Sequence, residues 1–291
     1  MISLTRPAKP DSRFLEAGGY QLHYLEMGSG DGTPVVLLHG GGPGCTGWSD
    51  FGVCAPHMAG RRLFLFDLLQ YGQSDKPDID GPVWSSHAAV YAAAIAELGI
   101  ERAHLVCNSW GGACALAMGI EHPDVVASLV ITGSMPVQRG PFGPLIDHSW
   151  RGRFARLDYY GEAGPTWDKM RALIARFEWY DESKIPDETV TMRYEQSLDP
   201  GELRLGLAID ERGRMQNIGP DLPKIEAPTL FVWGMEDDFL GPDYPLSLAA
   251  SMPRGNLHVM DRASHHLQEE RPLEYALSVN AFLDRVEEVG S

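Results

Sequence analysis

Residues 106–112 read Val-Cys-Asn-Ser-Trp-Gly-Gly, an apolar run ending in a serine and two glycines. If a strand stops at Asn108 and a helix starts near Trp110, Ser109 sits on a sharp turn with its hydroxyl in the open. That is the nucleophile elbow, written G-x-S-x-G. A serine nucleophile needs a base, and the base needs an orienting acid. Candidates for both follow later apolar runs. Met235-Glu236-Asp237-Asp238 comes after Trp233-Gly234, and Asp261-Arg262-Ala263-Ser264-His265-His266 comes after Met260. Asp237 is preferred over Glu236 and Asp238 by its distance from the end of the run. His265 is preferred over His266 because the small residues Ala263 and Ser264 let the backbone turn and place the next side chain inward. Each residue alone has an ordinary reading: a serine N-cap, a solvated acidic loop, a structural histidine. All three at strand ends, in the order Ser, Asp, His, read as a catalytic triad.

Acyl transfer also needs donors for the oxyanion. His39-Gly40-Gly41-Gly42-Pro43-Gly44 follows the first apolar run and offers backbone N–H groups free of Cβ obstruction. Gly41 or Gly42, with the N–H of Trp110 at a helix N-terminus, are the candidate pair. The loop lacks both the G-K-[ST] ending of a P-loop and the G-x-G-x-x-G spacing, so phosphate or dinucleotide binding is not indicated.

These groups need a scaffold. Val35–His39, Leu63–Asp67, His104–Asn108, Leu129–Gly133, Thr229–Gly234 and Leu257–Met260 are short apolar runs, mostly without alternation, as in strands buried on both faces of a parallel sheet. Helical stretches lie between them: Ser85–Leu98, closed by Gly99, then Gly111–Glu121, stopped by Pro123. Pro272 to about Val286 forms a last helix. Alternating strand and helix predict an α/β sheet with reactive groups beyond the strands' carboxyl ends. The pattern breaks between 136 and 220, a polar segment rich in aromatics with no strand run. The expected organisation is a core of residues 1–135 and 221–291, with 136–220 inserted as a helical lid.

The bulk composition narrows the partners. The 291 residues carry a formal charge of −16, which argues against nucleic acid and anionic membranes and for a small-molecule substrate. No run reaches the roughly 18 apolar residues of a membrane helix, and no secretory leader is evident. Four cysteines without a C-x-x-C pair suggest reduced thiols in a cytoplasmic protein. No cofactor or metal motif stands out.

Taken together, His-Gly-Gly-Gly-Pro-Gly-x-x-Gly-Trp at 39–48, Ala-His-Leu-Val-x-Asn-Ser-x-Gly-Gly at 103–112, Gly-x-x-Asp at 234–237 and His265 resemble the meta-cleavage product hydrolases. These are α/β-hydrolases that cut a carbon–carbon bond in ring-opened dienoates. The resemblance implies an α/β-hydrolase fold: a mostly parallel central sheet flanked by helices, with a helical lid. It implies Ser109 as nucleophile, His265 as base and Asp237 as its partner, without a cofactor, in a homodimer or larger assembly. It also implies that Arg193 grips the substrate's carboxylate and 2-oxo end, with Asn108 lining the same polar end. The chain departs from the pattern at Cys107 (glycine expected), Asp50 (asparagine), His266 (tryptophan) and Asp238 (arginine). Asp50 and His266 therefore become candidate substrate-binding residues that alter pocket polarity. The competing expectations are an ester or lactone hydrolase on the same scaffold and a binding protein that kept the triad. Epoxide and haloalkane hydrolases are disfavoured, because they would carry aspartate in place of Ser109.

Overall fold

The computed structural model describes residues 6–58, 60–134, 149–161, 163–208 and 212–290. One eight-stranded sheet runs through it in the order β1-β2-β4-β3-β5-β6-β7-β8. The strands are β1 (Arg13–Ala17), β2 (Tyr20–Met27), β3 (Val35–Leu38), β4 (Leu63–Phe66), β5 (Ala103–Asn108), β6 (Val126–Thr132), β7 (Thr229–Gly234) and β8 (Gly255–Met260). From β4 to β8 all neighbours are parallel; β1 and β2 add an antiparallel hairpin at one edge.

The buried strands explain the unbroken apolar runs. Every residue of β3, β4, β5 and β7 is buried, so both faces of each need apolar side chains. Within a run, alternate residues feed opposite layers. Val36, Leu38, Leu105 and Cys107 pack on one side with α2 (Val83–Glu97) and α3 (Ser109–Glu121). Val35, Leu37, Leu65 and Val106 pack on the other with α1 (Gly47–Phe51) and α10 (Pro272–Gly290). The β1–β2 hairpin is an element that the sequence reading does not include. Its turn is Gly18-Gly19, both at positive φ (59° and 85°), as a tight hairpin turn requires.

The topology creates the crevice. β3 and β5 are neighbours, but the chain leaves β3 through α1 toward β4 and leaves β5 through α3 toward β6, on opposite faces. Connections that diverge from adjacent strands leave a cleft beyond their carboxyl ends. The glycine loop after β3 and Ser109 after β5 flank that cleft.

Helices α4 (Ser149–Tyr160), α5 (Trp167–Phe177), α6 (Asp187–Ser197) and α7 (Pro200–Leu207) fall between β6 and β7, and α8 (Asp243–Ala250) and α9 (Leu267–Glu270) come after β7. The α4–α6 region holds its own small core of Tyr159, Tyr160, Met170, Ile174, Trp179 and Val190. Of the segment expected as a lid, residues 136–148, 162 and 209–211 lie outside the described residues. Among the described residues no helix is long and apolar enough to cross a membrane. All four cysteines are buried and unpaired.

Candidate active site

Ser109 is the first residue of α3 and has φ of +49°, a left-handed conformation that a serine adopts only when its surroundings force it. The two glycines after Trp110 show what does the forcing. A Cβ on Gly111 would lie 2.3 Å from the Leu38 carbonyl oxygen, and one on Gly112 1.9 Å from Ser134 Oγ. The start of α3 is thus pressed against the end of β3, with Gly111 N–H donating to the His39 carbonyl at 3.0 Å. Ser134 Oγ donates to the Ser109 carbonyl at 2.7 Å. Cys107, in place of the usual glycine, points into the buried layer shared with Ala113 and Cys114, and burial pushes its thiol pKa up.

His265 Nδ1 lies 2.9 Å from Asp237 Oδ2, while Asp237 Oδ1 accepts from the N–H groups of Phe239 (2.9 Å) and Leu240 (3.2 Å). Both residues are buried. The carboxylate is held by two main-chain donors, so it fixes the ring and leaves Nε2 to exchange a proton. Asp238 and Glu236 are exposed. Gly234, opening the Gly-x-x-Asp stretch, is packed against the carbonyls of Ala263 and Ser264, each 2.3 Å from where its Cβ would sit. That contact couples the acid loop to the histidine loop.

The His265 ring also rests on Gly133, where a Cβ would be 2.5 Å from Cε1, and φ there is +58°. Gly133→Ala should displace the ring and lower kcat/KM by about 10²-fold, since misplacing a catalytic group by an ångström costs that much. An unchanged kcat/KM in a folded variant would contradict this role.

The glycine loop is fixed from below. His39 Nε2 accepts from Leu68 N–H at 2.8 Å, so Nδ1 carries the proton and donates to the Gly40 carbonyl at 2.7 Å. Burial lowers the pKa of His39, in keeping with a neutral ring. Gly40 N–H donates to Asp50 Oδ2 at 2.8 Å. Trp110 is the second residue of α3, so its N–H has no acceptor within the helix. Gly41, Gly42, Ser109, Trp110, His265 and His266 all line one cavity between the sheet's edge and helices α4 and α5.

Behind this cavity lies a buried chain of charges. Arg193 donates to Glu178 through both nitrogens of its fork (2.5 and 3.1 Å) and through Nε to the Pro43 carbonyl (2.9 Å). His266 Nδ1 is 2.9 Å from Glu269 Oε1 and 3.8 Å from Glu178 Oε2, and Glu269 Oε2 accepts from Arg6 at 2.8 Å. Asp50, His266 and the Cys45 thiol have their polar atoms within 4.8 Å of one another. Burial alone would lower the His266 pKa, but Glu178, the hydrogen bond to Glu269, and Asp50 outweigh it and lift it to about 9. Three cations, Arg6, Arg193 and protonated His266, therefore face three anions, Asp50, Glu178 and Glu269. A protonated ring committed to Glu269 is a poor metal ligand, so this cluster works as charge pairing.

The expected substrate-binding residues take different places in the structure. Arg193 is wholly buried and its fork is filled by Glu178, so it is not open to a substrate carboxylate. A buried guanidinium needs a counter-charge, and Glu178, the C-cap of α5, supplies one. Asp50 holds the glycine loop rather than lining the cavity. Asn108 lies behind the loop, its amide buried and without a partner among the described residues. His266 lines the cavity. Glu178, Arg156 and Arg212 also line it and were missed. An acid between Phe177 and Trp179 is a signal for Glu178; the arginines gave none.

The raised His266 pKa has a stability consequence. A group whose pKa is higher folded than unfolded stabilises fully below its unfolded value, near 6.5, and loses that contribution as pH rises through about 9. The wild type should therefore lose up to about 3 kcal/mol across this window. Thermal melts from pH 6.5 to 10 should fall more steeply than those of His266→Gln; parallel curves would contradict the charged ring.

Comparison with known proteins gives the same fold. A family model described as the alpha/beta hydrolase fold matches residues 33–272. A 2-hydroxy-6-oxononadienedioate/2-hydroxy-6-oxononatrienedioate hydrolase of Burkholderia vietnamiensis is 33% identical over 270 residues, covering 91% of each chain. A 2-hydroxy-6-oxo-6-phenylhexa-2,4-dienoate hydrolase of Comamonas testosteroni is 33% identical over 261 residues, 88% of each. The solved meta-cleavage product hydrolase of Pseudomonas fluorescens IP01 superposes with a TM-score of 0.78 at 25% identity, covering 94% of this chain and 97% of that one. Matched over most of its length by the family model and by these relatives, the chain belongs to the α/β-hydrolase family, in the group of the dienoate hydrolases.

Proposed function

We propose that this protein is a serine-dependent hydrolase that cleaves a carbon–carbon bond in a ring-opened dienoate, with Ser109, His265 and Asp237 as its triad. The observation that carries the reading is the set of strand-end groups around one cavity: a strained serine, a histidine held by a buried aspartate, and a glycine loop. Relatives named for this chemistry align along nearly the whole chain. The lid role belongs to helices α4–α7, two of which close the cavity over the sheet. The same reading extends to a cytoplasmic homo-oligomer; the unpaired thiols fit a reducing compartment.

In this reading the substrate's dienol first becomes a ketone. His265 then takes a proton from Ser109 or from water, and the oxygen attacks the distal carbonyl, whose oxyanion is met by the N–H groups of Trp110 and of Gly41 or Gly42. The bond to the neighbouring carbon breaks and its electron pair delocalises into the 2-oxo acid. Across the reaction, OH from water ends on the acyl carbon and H on the released carbon. Protonated His266 faces the cavity with Nδ1 committed to Glu269, which leaves its Nε2–H for the 2-oxo acid end. It thereby takes the part expected of Arg193.

A second reading, an ester or lactone hydrolase, is favoured by Glu178, an acid on the cavity wall where an anionic substrate would bind. A panel of yellow ring-cleavage dienoates, p-nitrophenyl esters and lactones separates the two. Dienoate turnover with kcat/KM above the esters is expected; turnover of esters and lactones alone would overturn the C–C reading.

A further inference from the structure

Besides Glu178 and His266, the cavity is lined by the apolar Trp84, Ala113 and Met215 and by three arginines, Arg153, Arg156 and Arg212. They are not equivalent. Arg156 Nη2 donates to the Gly41 carbonyl and lies 3.3 Å from Tyr71 Oη, so it is built into the loop. Arg212 is 4% exposed, and its Nε and Nη2 have no hydrogen-bond partner among the described residues. Its guanidinium lies over the Tyr71 ring at 4.5 Å and near the Trp110 ring at 5.9 Å, the indole of the residue next to Ser109. The buried acid of this region, Glu202, is already engaged by the N–H groups of Gly44 and Gly72 and by Gln196. No ion pair within 4 Å joins it to Arg156 or Arg212 among the described residues. Burial pushes the Glu202 pKa up to about 7, so it is only partly ionised at neutral pH.

A buried charge without a partner is costly, and a protein retains one where a ligand supplies the partner. We infer that Arg212, backed by Arg156, is a carboxylate-binding subsite for the acyl side of the substrate, selecting acyl groups that end in a second carboxylate. This rests on the proposed function, which places the 2-oxo acid at His266 and so directs the acyl chain past Trp110. A short aliphatic chain then runs along the apolar wall to a planar guanidinium with two unpartnered donors, which suits a carboxylate as a fork. The overall charge of −16 is no obstacle, because screening confines its reach to about 8 Å and the subsite is enclosed.

The test compares p-nitrophenyl hydrogen glutarate with its methyl ester, which differ only in the terminal charge. The wild type should prefer the acid in kcat/KM by at least about 10-fold, the value of one charge-assisted hydrogen bond. Arg212→Gln should bring the ratio to about one, and Arg212→Lys should restore part of it. Free glutarate should raise the melting temperature of the wild type and not of Arg212→Gln, a readout independent of turnover. Equal ratios in wild type and Arg212→Gln, or a wild type preferring the methyl ester, would overturn the subsite. Dienoate turnover without acid preference would leave the proposed reaction standing and remove the subsite. Acid preference without dienoate turnover would do the reverse.

Discussion

Ser109→Ala should reduce hydrolysis of every substrate by about 10⁴-fold or more while leaving the fold intact, because triad members act as a unit and losing the nucleophile forfeits the contribution of all. The companion change is more diagnostic. Ser109→Gly removes the same hydroxyl but also removes the penalty of a side chain at φ of +49°. It should therefore be inactive yet more stable than Ser109→Ala, by about 1 kcal/mol. Inactivity coupled to gained stability is what strain stored at a working site predicts. A serine that merely capped α3 would behave differently: its removal would destabilise the protein and leave turnover largely unchanged. Melting curves and kcat/KM on the same preparations distinguish the two.

The second large effect concerns the Arg193–Glu178 pair. Glu178→Gln leaves a buried guanidinium without its carboxylate, and Arg193→Met leaves a buried carboxylate without its guanidinium. Each should cost about 3–5 kcal/mol, the usual penalty for orphaning one member of a buried ion pair. For a chain of this size that is a fall of roughly 10 °C in melting temperature. The double variant should be more stable than either single one, since two neutral side chains leave no uncompensated charge. Additive losses in the double variant would show that the pair is not coupled. Glu178→Gln should also lower the His266 pKa, because Glu178 is the largest influence raising it. Loss of stability with rising pH would then begin at a lower pH than in the wild type.

The scaffold was legible because it is written in local patterns. Strands buried on both faces carry unbroken apolar runs, and the proposed triad residues follow those runs directly, so strand ends alone bring Ser109, Asp237 and His265 to one edge. The β1–β2 hairpin was not legible in the same way, since an edge strand has half-exposed positions and its signal is the Gly18-Gly19 turn. The pairing at the polar end of the cavity was not legible for a different reason. Arg193 and Glu178 meet because α6 and the end of α5 fold together, and nothing in their spacing announces the pairing. Asp50 and His266, taken singly, look like two unrelated departures from the family pattern. In space they come within reach of each other, an acid and a protonated histidine that join the same network. Arg212 sits in the charged run Asp210-Glu211-Arg212-Gly213-Arg214, yet it is buried against Tyr71. Long-range packing decides burial there, and a charge run carries no record of it.

The most direct test of the central claim is to mix the purified protein with 2-hydroxy-6-oxononadienedioate in ¹⁸O-labelled water. Loss of the yellow chromophore is followed and the products are weighed by mass spectrometry, with Ser109→Ala alongside. Bleaching by the wild type, release of two acids with solvent oxygen in the acyl product, and no bleaching by Ser109→Ala is the predicted result. A wild type that hydrolyses p-nitrophenyl esters but leaves the chromophore untouched would contradict it.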